Sequence, residues 1–320
     1  MKRLKIFSWI IFIALAIVIA LNYQFIFDFT RGLFYSPSPE MASIRESLDL
    51  SSRGEILFNA SMPELNSEEE FNENCHSYDE VETILGCYTM QKIYVYDIKD
   101  KELNGIVELT SAHELLHAVY ERMSISERDG LRELLEAVYK DNLETLEDEI
   151  GAYESAEQLE EIYVRAGTEI KKLPEELEAH YGKIFNDRKK VVKYYEGYNG
   201  VFKKYEAEMT NIKAKLDELG GVINEKNEEY ARKVDELNAR IDAFNNCADS
   251  PGCFSTDTEF YNKREELLRE VILIDSLYDE IDGLIEQYNV NVDDYNDNVL
   301  IIERFQDIIN SHVRVEDINN

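Results

Sequence analysis

Basic residues are scarce in this chain of 320 residues, which has 34 lysines and arginines against 66 aspartates and glutamates. The formal net charge of −32 at pH 7 produces a field that repels phosphate, so we expect no binding to nucleic acid. An acidic surplus of this size is typical of solvated helical surfaces. Attraction of basic substrates or of divalent ions is the alternative interpretation.

Cysteine is also rare, and none of the four cysteines has the Cys-x-x-Cys spacing of a zinc knuckle. They fall into two local pairs, Cys75 with Cys87 and Cys247 with Cys253. An even number of cysteines in short loops predicts two disulfides and therefore a location outside the cytoplasm. A single zinc site shared by all four is the alternative, which the long sequence interval between the pairs disfavours.

An apolar run at the N-terminus predicts a membrane anchor. Basic residues at positions 2, 3 and 5 precede a run from Ile6 to Leu21, which resumes at positions 25–27. A helix from Ile6 to Phe27 would be about 33 Å long, enough to cross a bilayer core. The basic residues favour a cytoplasmic N-terminus, so we predict a single-pass anchor in the cell membrane over residues 1–29 and export of the rest. A cleaved signal peptide is the alternative, disfavoured because no small-x-small site follows before Asn22.

The next region, residues 30–188, has the mixed composition of a small globular domain. It opens with a juxtamembrane stretch, Thr30–Glu40, which contains Ser36-Pro37-Ser38-Pro39 and which we expect to be extended. Alternating residues over Gln91–Asp97 predict a strand with one buried face, and positions 99–104 read as a turn. The expected fold class is mainly α (α+β), with a minor β element in a helical domain.

Heptad spacing dominates residues 189–312 and predicts two long helices. The turn between them, Asn245–Thr258, contains Pro251-Gly252 and the second cysteine pair, so we expect an antiparallel coiled-coil hairpin, followed by a tail at 313–320. Gly220-Gly221 should weaken or bend the first helix. The first apolar series, interrupted near Lys226, is Val191, Tyr195, Tyr198, Phe202, Tyr205, Met209, Ile212, Leu216, Leu219, Ile223, Tyr230, Val234, Leu237, Ile241 and Phe244. The second is Leu267, Val271, Ile274, Tyr278, Ile281, Ile285, Tyr288, Val292, Tyr295, Val299 and Ile302.

Only five histidines occur in the chain, yet two of them form the pentad His113-Glu114-Leu115-Leu116-His117. Chance would produce such a pentad in roughly one per cent of shuffled sequences of this composition. The i, i+4 spacing places both imidazoles on one helix face, where they can reach one metal ion. Glu114 can then take a proton from metal-bound water. Histidines that only pack or form hydrogen bonds inside a helix bundle are the alternative.

The uncharged residues around the pentad, from Thr110 to Val119, resemble the extended signature of zincin metallopeptidases. No His-x-x-Gly-x-x-His continuation follows His117, so the metzincin pattern is absent and the resemblance is to gluzincins. That resemblance implies Zn²⁺ with a glutamate from a later helix as third ligand. We rank Glu169 first and Glu161 second, because their segment is more apolar than its surroundings. Glu136, in a strongly charged helix, ranks third.

His180 and Tyr181 follow in the segment 173–185 and are residue types that zincins use to stabilise an oxyanion. Packing at the domain edge is the alternative role. The motif order also resembles a family of bacterial membrane-anchored proteins. It comprises the anchor, a Cys…Leu-Gly-Cys-Tyr pair, Ala-His-Glu-x-x-His-Ala, Gly-Thr-Glu and Leu-Glu-Ala-His-Tyr. The resemblance covers roughly residues 43–188 and implies a metallopeptidase without identifying its substrate.

The resulting hypothesis is a membrane-anchored, extracytoplasmic zinc peptidase that acts on a peptide or protein substrate. His113, His117 and Glu169 would bind the zinc, and Glu114 would be the general base. The coiled coil would position the domain or bind a protein partner in the cell envelope. The alternative is a membrane-anchored coiled-coil scaffold or regulator of envelope enzymes, in which the zinc is structural or vestigial.

Overall fold

The computed structural model describes residues 12–75, 84–143 and 155–310, apart from positions 15 and 21, together with positions 146 and 150. The basic N-terminal residues and the predicted tail at 313–320 lie outside these residues. The chain divides into two compact units, Met1–Phe202 with Phe305–Asn320, and Lys203–Arg304. It is mainly helical with one small sheet, which confirms the predicted fold class.

The helices are α1 (Tyr23–Leu33), α2 (Pro39–Ser47), α3 (Ser52–Ala60), α4 (Glu68–Asn74), α5 (Ile106–Glu121), α6 (Ile125–Asp141), α7 (Ser155–Thr168), α8 (Glu175–Tyr181), α9 (Arg188–Ala248) and α10 (Asp257–Ile309). The strands are β1 (Glu64–Asn66), β2 (Gly86–Thr89) and β3 (Lys92–Tyr96).

The described part of the N-terminal apolar segment contains two helical pieces. Among the described residues no single helix is both long and apolar enough to cross a membrane, although Phe12–Ala20 and α1 meet the criterion as a pair bent by 73°. Positions 6–11, 15 and 21 of the expected helix from Ile6 to Phe27 lie outside the described residues, so the membrane anchor stays a prediction. The expectation of an extended stretch over Thr30–Glu40 is wrong at both ends, because α1 continues to Leu33 and α2 begins at Pro39. Helix α1 packs on α3. Its Asp28 is 2% exposed and accepts two hydrogen bonds of 3.1 Å from Arg122 Nε at the end of α5.

The sheet has the order β1-β3-β2, with β1 parallel and β2 antiparallel to β3. The predicted strand at Gln91–Asp97 is confirmed as β3, in which Ile93 and Val95 are fully buried. Met90 and Gln91 join β2 to β3 with φ angles of 48° and 60°. Two central residues with positive φ are typical of a type I′ hairpin turn, which usually contains asparagine and glycine.

The core of the first unit surrounds α5, which packs against α7 and against strands β2 and β3. Leu115 and Leu116 in the middle of α5 are fully buried, as is Tyr163 on α7. Helix α9 begins at Arg188, where sequence analysis predicted the start of the hairpin. Its first turns, up to Phe202, belong to the first compact unit.

In the second unit the two long helices run antiparallel. Lys226 pairs with Glu280 at 2.7 Å, Arg240 with Glu266 at 2.8 Å, and the rings of Phe244 and Phe260 lie 5.1 Å apart. Residues further along α9 thus contact residues closer to the N-terminus of α10, which is the pattern of antiparallel helices.

Disulfides join Cys75 to Cys87 and Cys247 to Cys253, which confirms both predicted pairs.

The heptad prediction holds with two changes. Helix α9 continues unbroken through Gly220-Gly221, and Lys226 is half-buried in line with its apolar neighbours, so the apparent interruption is part of the contact face. On α10, Tyr278 and Ile285 are 55% and 39% exposed, whereas Leu277 is 9% exposed. The inward face of α10 therefore includes positions 277 and 284, and not 278 and 285 as the heptad series predicted.

Candidate metal centre

Helix α5 begins where the chain passes close to α9. Gly105 precedes its first turn with a φ of +94°, and an added Cβ there would lie 2.8 Å from the Tyr194 ring. Both facts require glycine at this position. Ala112, Leu115 and Leu116 then turn inwards to the core, which leaves the two histidines of the pentad on the side that faces α7.

The two imidazoles and one carboxylate converge. His113 Nε2 lies 3.3 Å from His117 Nε2. Glu161 of α7 is 3% exposed and places Oε1 at 3.7 Å from His113 Nε2 and Oε2 at 3.5 Å from His117 Nε2. Of the residues that the structure describes, these form the group of three whose ligand atoms lie within 4.8 Å of one another. They can hold a metal ion.

The separations between these atoms match a tetrahedral ion. Two nitrogen ligands at 2.0–2.1 Å from tetrahedral zinc would be about 3.3–3.4 Å apart. The observed 3.3 Å between the two Nε2 atoms agrees, and the two distances to Glu161 are only slightly longer. Each histidine side chain keeps 21% of its surface exposed, so a fourth position can be reached from solvent. Three protein ligands and an accessible fourth position are typical of catalytic zinc sites.

A second carboxylate, that of Glu160, contacts His117 on the ring nitrogen that does not face Glu161. Glu160 Oε1 lies 2.8 Å from His117 Nδ1, which leaves Nε2 of that ring as the atom nearest Glu161. Carboxylates in this position fix the tautomer and ring orientation of metal-binding histidines. Glu160 was not among the site residues predicted from the sequence. Its place directly before Glu161 was the available signal, since neighbouring glutamates on α7 approach α5 together.

Glu114 lies between the histidines and the sheet. It is 6% exposed and accepts a hydrogen bond from the backbone N–H of Tyr88 in β2. Strand β2 approaches so closely that a Cβ added to Gly86 would lie 2.8 Å from Glu114 Oε1. Burial, reinforced by the nearby carboxylates, raises the pKa of Glu114 to about 7. A carboxylate with a pKa near neutrality is suited to proton transfer.

The two histidines differ in their affinity for protons. Burial and the charge of His117 lower the pKa of His113 well below its usual value. Burial also opposes charge on His117, but the hydrogen bond to Glu160 and the neighbouring carboxylates raise its pKa to about 9. One positive charge is thus stabilised beside Glu114, Glu160 and Glu161. This charge is the proton on His117. A divalent cation that took its place would interact with the same three carboxylates more strongly than the single charge does.

The carboxylate that lies beside the two histidines is not the first-ranked candidate. Glu169 lies eight residues after Glu161, about 12 Å further along the same helical path. It accepts a hydrogen bond from Arg165 Nη1 at 3.1 Å, while Arg165 Nε donates to Glu161 Oε1 at 2.6 Å. The second-ranked Glu161 is the carboxylate that lies beside the histidines. Glu136 is exposed on α6 and is not in the group.

Replacing Glu161 by glutamine is expected to weaken zinc binding more than about 100-fold. Loss of a residue that only supports a metal ligand typically costs about 10–100-fold, and loss of a ligand itself should cost more. Competition with a chromophoric chelator would measure the affinity. Glu169→Gln is the matched control, since it too removes an acceptor from Arg165, and it should change the affinity less than tenfold. Equal losses in the two variants would contradict the assignment of Glu161.

The Gly-Thr-Glu segment has a packing role. A Cβ added to Gly167 would lie 2.3 Å from Leu116 Cδ1 and 2.7 Å from Tyr181 Cε1. Glycine therefore allows α7 to approach α5 closely enough for Glu161 to reach the histidines. Thr168 is fully buried and its hydroxyl donates to the Val164 carbonyl.

Gly167→Ala is expected to destabilise the protein by about 1–3 kcal/mol, because the methyl group overpacks a filled interface. Chemical denaturation followed by circular dichroism would measure the change. Gly197→Ala provides a control of opposite sign: nothing lies within 4 Å of its added Cβ, so removing a glycine from α9 should stabilise by up to about 1 kcal/mol. Stabilisation by both substitutions would show that the α5–α7 contact tolerates a methyl group.

His180 and Tyr181 do not contact either histidine of the pentad. Tyr181 is fully buried and its hydroxyl donates to the Tyr163 carbonyl at 2.6 Å. His180 Nε2 lies 3.1 Å from the Tyr163 hydroxyl, and burial lowers the pKa of His180 to about 4. The packing role is the one that these contacts support, since the Tyr181 hydroxyl is already committed to a backbone acceptor.

Comparison of the chain with family models, with curated proteins and with solved structures finds no match.

Proposed function

We propose that this protein is a zinc-dependent peptidase. The observation that carries the proposal is the convergence of His113, His117 and Glu161 beside Glu114, which is buried and has a pKa near neutrality. Two histidines and a glutamate with an open fourth position form a ligand set used for peptide hydrolysis. The zincin-like architecture of residues 30–188 is part of the same proposal.

Each residue has a distinct task. A zinc ion bound by the three ligands would act as a Lewis acid and would make water nucleophilic near neutral pH. Glu114 accepts the proton of the attacking water and delivers it to the leaving amine. Glu160 holds the His117 ring in place, and Arg165 holds the carboxylate of Glu161.

Strand β2 offers a place for the substrate backbone. It is the last strand of the described sheet on the side of α5, and its Tyr88 N–H already points at Glu114. A peptide that extends such an edge forms main-chain hydrogen bonds largely independent of its sequence. A substrate bound there would pass beside the general base.

The proposed location is outside the cytoplasm, with the N-terminal segment in the cell membrane and no role for nucleic acid. Two disulfides support an oxidising environment. The acidic surplus argues against nucleic acid for the reason given above.

The decisive experiment measures zinc and cleavage together on the full-length protein. We expect about one zinc per chain and cleavage of a fluorogenic peptide library. A chelator should abolish cleavage, and added zinc should restore it. Zinc-loaded protein that cleaves no peptide would contradict the peptidase proposal.

The second unit favours a second candidate function, a membrane-anchored scaffold or regulator of envelope enzymes. On α10, Leu268, Ile272 and Leu273 are between 48% and 67% exposed. Exposed apolar side chains grouped on one helix are common at protein interaction sites. In this case the coiled coil would bind an envelope partner and the metal would have a structural role.

Two variants separate the candidates in the native host. Exchange of Leu268, Ile272 and Leu273 for serine should remove the function of a scaffold, whereas Glu114→Gln should leave it intact. The peptidase proposal expects Glu114→Gln to reproduce the phenotype of the gene deletion.

A further inference from the structure

A cavity lies on the other side of α5 from the candidate metal centre. It measures about 250 Å³, and its apolar wall is formed by Val119, Met123, Leu131 and Ile184. Val119 follows His117 by two residues, so a rotation of 100° per residue directs it away from the histidine face, and Met123 lies just beyond the end of α5. The volume suits one amino-acid residue better than a drug-sized ligand.

Two cations stand at the rim of this cavity. Arg53 of α3 and Lys183, just after α8, both line it, and neither forms an ion pair within the part of the chain that the structure describes. The charges of both act on His180, which also lines the cavity. Unpaired cations around one cavity are notable in a chain with twice as many acidic as basic residues. The arrangement favours an anionic ligand.

The charge of Arg53 acts on the nearby Glu127 and helps to lower its pKa, but Glu127 forms no ion pair with either cation in the described part of the chain. Glu127 lines the same cavity, but its Oε2 accepts hydrogen bonds of 2.8 Å from the backbone N–H and the hydroxyl of Ser124. It is the capping-box glutamate of α6, folded back onto the helix start. Arg53 and Lys183 are exposed and free to turn towards a ligand.

Open space beside α6 keeps the cavity accessible. Gly130 lines it from the middle of the helix, and a Cβ added there would meet nothing within 4 Å. Glycine is among the poorest helix formers, and no packing contact requires it here. A longer side chain at this position would extend into the cavity.

We propose that this cavity binds the C-terminal residue of a peptide chain, with its carboxylate held by Arg53 and Lys183 and its apolar side chain on the wall. The neutral imidazole of His180 and the hydroxyl of Ser126, which also lines the cavity, suit the polar amide of a peptide better than the alkyl chain of a fatty acid. The proposal does not depend on peptidase activity.

The test uses the full-length protein with ¹³C-methyl methionine, because Met123 lines the cavity and Met41 lies in the core. N-acetyl-L-leucine should shift the Met123 methyl signal, with a dissociation constant around a millimolar for so small a ligand. N-acetyl-L-leucinamide, which lacks the charge, should bind at least about tenfold more weakly. Spectra recorded with a chelator present should give the same result, which separates this site from the metal centre.

Gly130→Leu should abolish the Met123 shift while the Met41 signal and the melting temperature show an intact fold. Gly197→Leu is the matched control, a helical glycine that also faces open space but lies outside the cavity, and it should bind normally. Exchange of Arg53 and Lys183 for glutamine should reduce binding of the acid to that of the amide. The proposal is overturned if acid and amide bind equally, if hexanoate binds as well as N-acetyl-leucine, or if Gly130→Leu still binds.

Discussion

Glu114→Gln is expected to lower the rate of peptide cleavage by about 10²–10⁴-fold, the usual contribution of a positioned general base, while zinc stays bound. Glutamine preserves the shape of the side chain and can still meet the Tyr88 N–H through its amide oxygen. It cannot accept the proton of the attacking water. Turnover with a fluorogenic peptide and zinc content by atomic absorption, measured on the same sample, would test both parts.

Glu108→Gln is a suitable control because Glu108 lies in the first turn of α5 and is not part of the ligand group. It should retain both zinc and activity. An unchanged rate in Glu114→Gln would remove the general base from the proposal. Loss of zinc in that variant would instead show that Glu114 helps to retain the ion.

Arg188→Met is expected to destabilise the first unit by about 3–5 kcal/mol, because it leaves buried acceptors without a donor. The Arg188 side chain is 3% exposed. Its guanidinium donates to the Ile170 carbonyl at 2.8 Å and to Glu178 Oε1 at 2.5 Å, and it also reaches the carbonyls of Ala166 and Gly167 at 3.3 Å. These bonds tie the end of α7 to α8 and to the start of α9. Urea unfolding monitored by far-ultraviolet circular dichroism would measure the loss.

The exposed neighbour Lys189 provides the control, and Lys189→Met should change stability by less than about 0.5 kcal/mol. The hydrogen bond from Arg188 lowers the pKa of Glu178, so the ionised pair stabilises the fold above the pKa that Glu178 has in the unfolded chain. This contribution disappears as the pH falls through the lowered pKa. The difference in the free energy of unfolding between Arg188→Met and the wild type should therefore become smaller at acid pH. A difference that does not change with pH would contradict this role of the pair.

Local patterns were sufficient to predict much of this structure. The i, i+4 spacing of His113 and His117 predicts their shared helix face, and alternation predicts β3. Cysteine spacing predicts both disulfides, and heptads predict two long antiparallel helices. Each of these depends on residues that are neighbours in sequence.

The remaining features depend on contacts between distant residues. Glu161 and Glu169 lie in the same apolar segment, and the packing of α7 on α5, which includes the close approach of Gly167 to Leu116, brings Glu161 to the histidines. The β2–β3 turn was missed because Met90 and Gln91 carry no turn signature. Its positive φ angles depend on the strand pairing on both sides and on the hydrogen bond of 2.9 Å from Arg31 to the Gln91 side chain.

The buried Asp28–Arg122 pair affects how the protein can be divided for experiments. A fragment that starts at residue 30, the predicted end of the anchor, would lack Asp28 and most of α1. Arg122, one residue beyond the end of α5, would then be a buried cation without its carboxylate, a change that typically costs about 3–5 kcal/mol. Inactivity of such a fragment would report the loss of this pair, whereas a fragment that begins before Tyr23 keeps the pair and gives an interpretable assay.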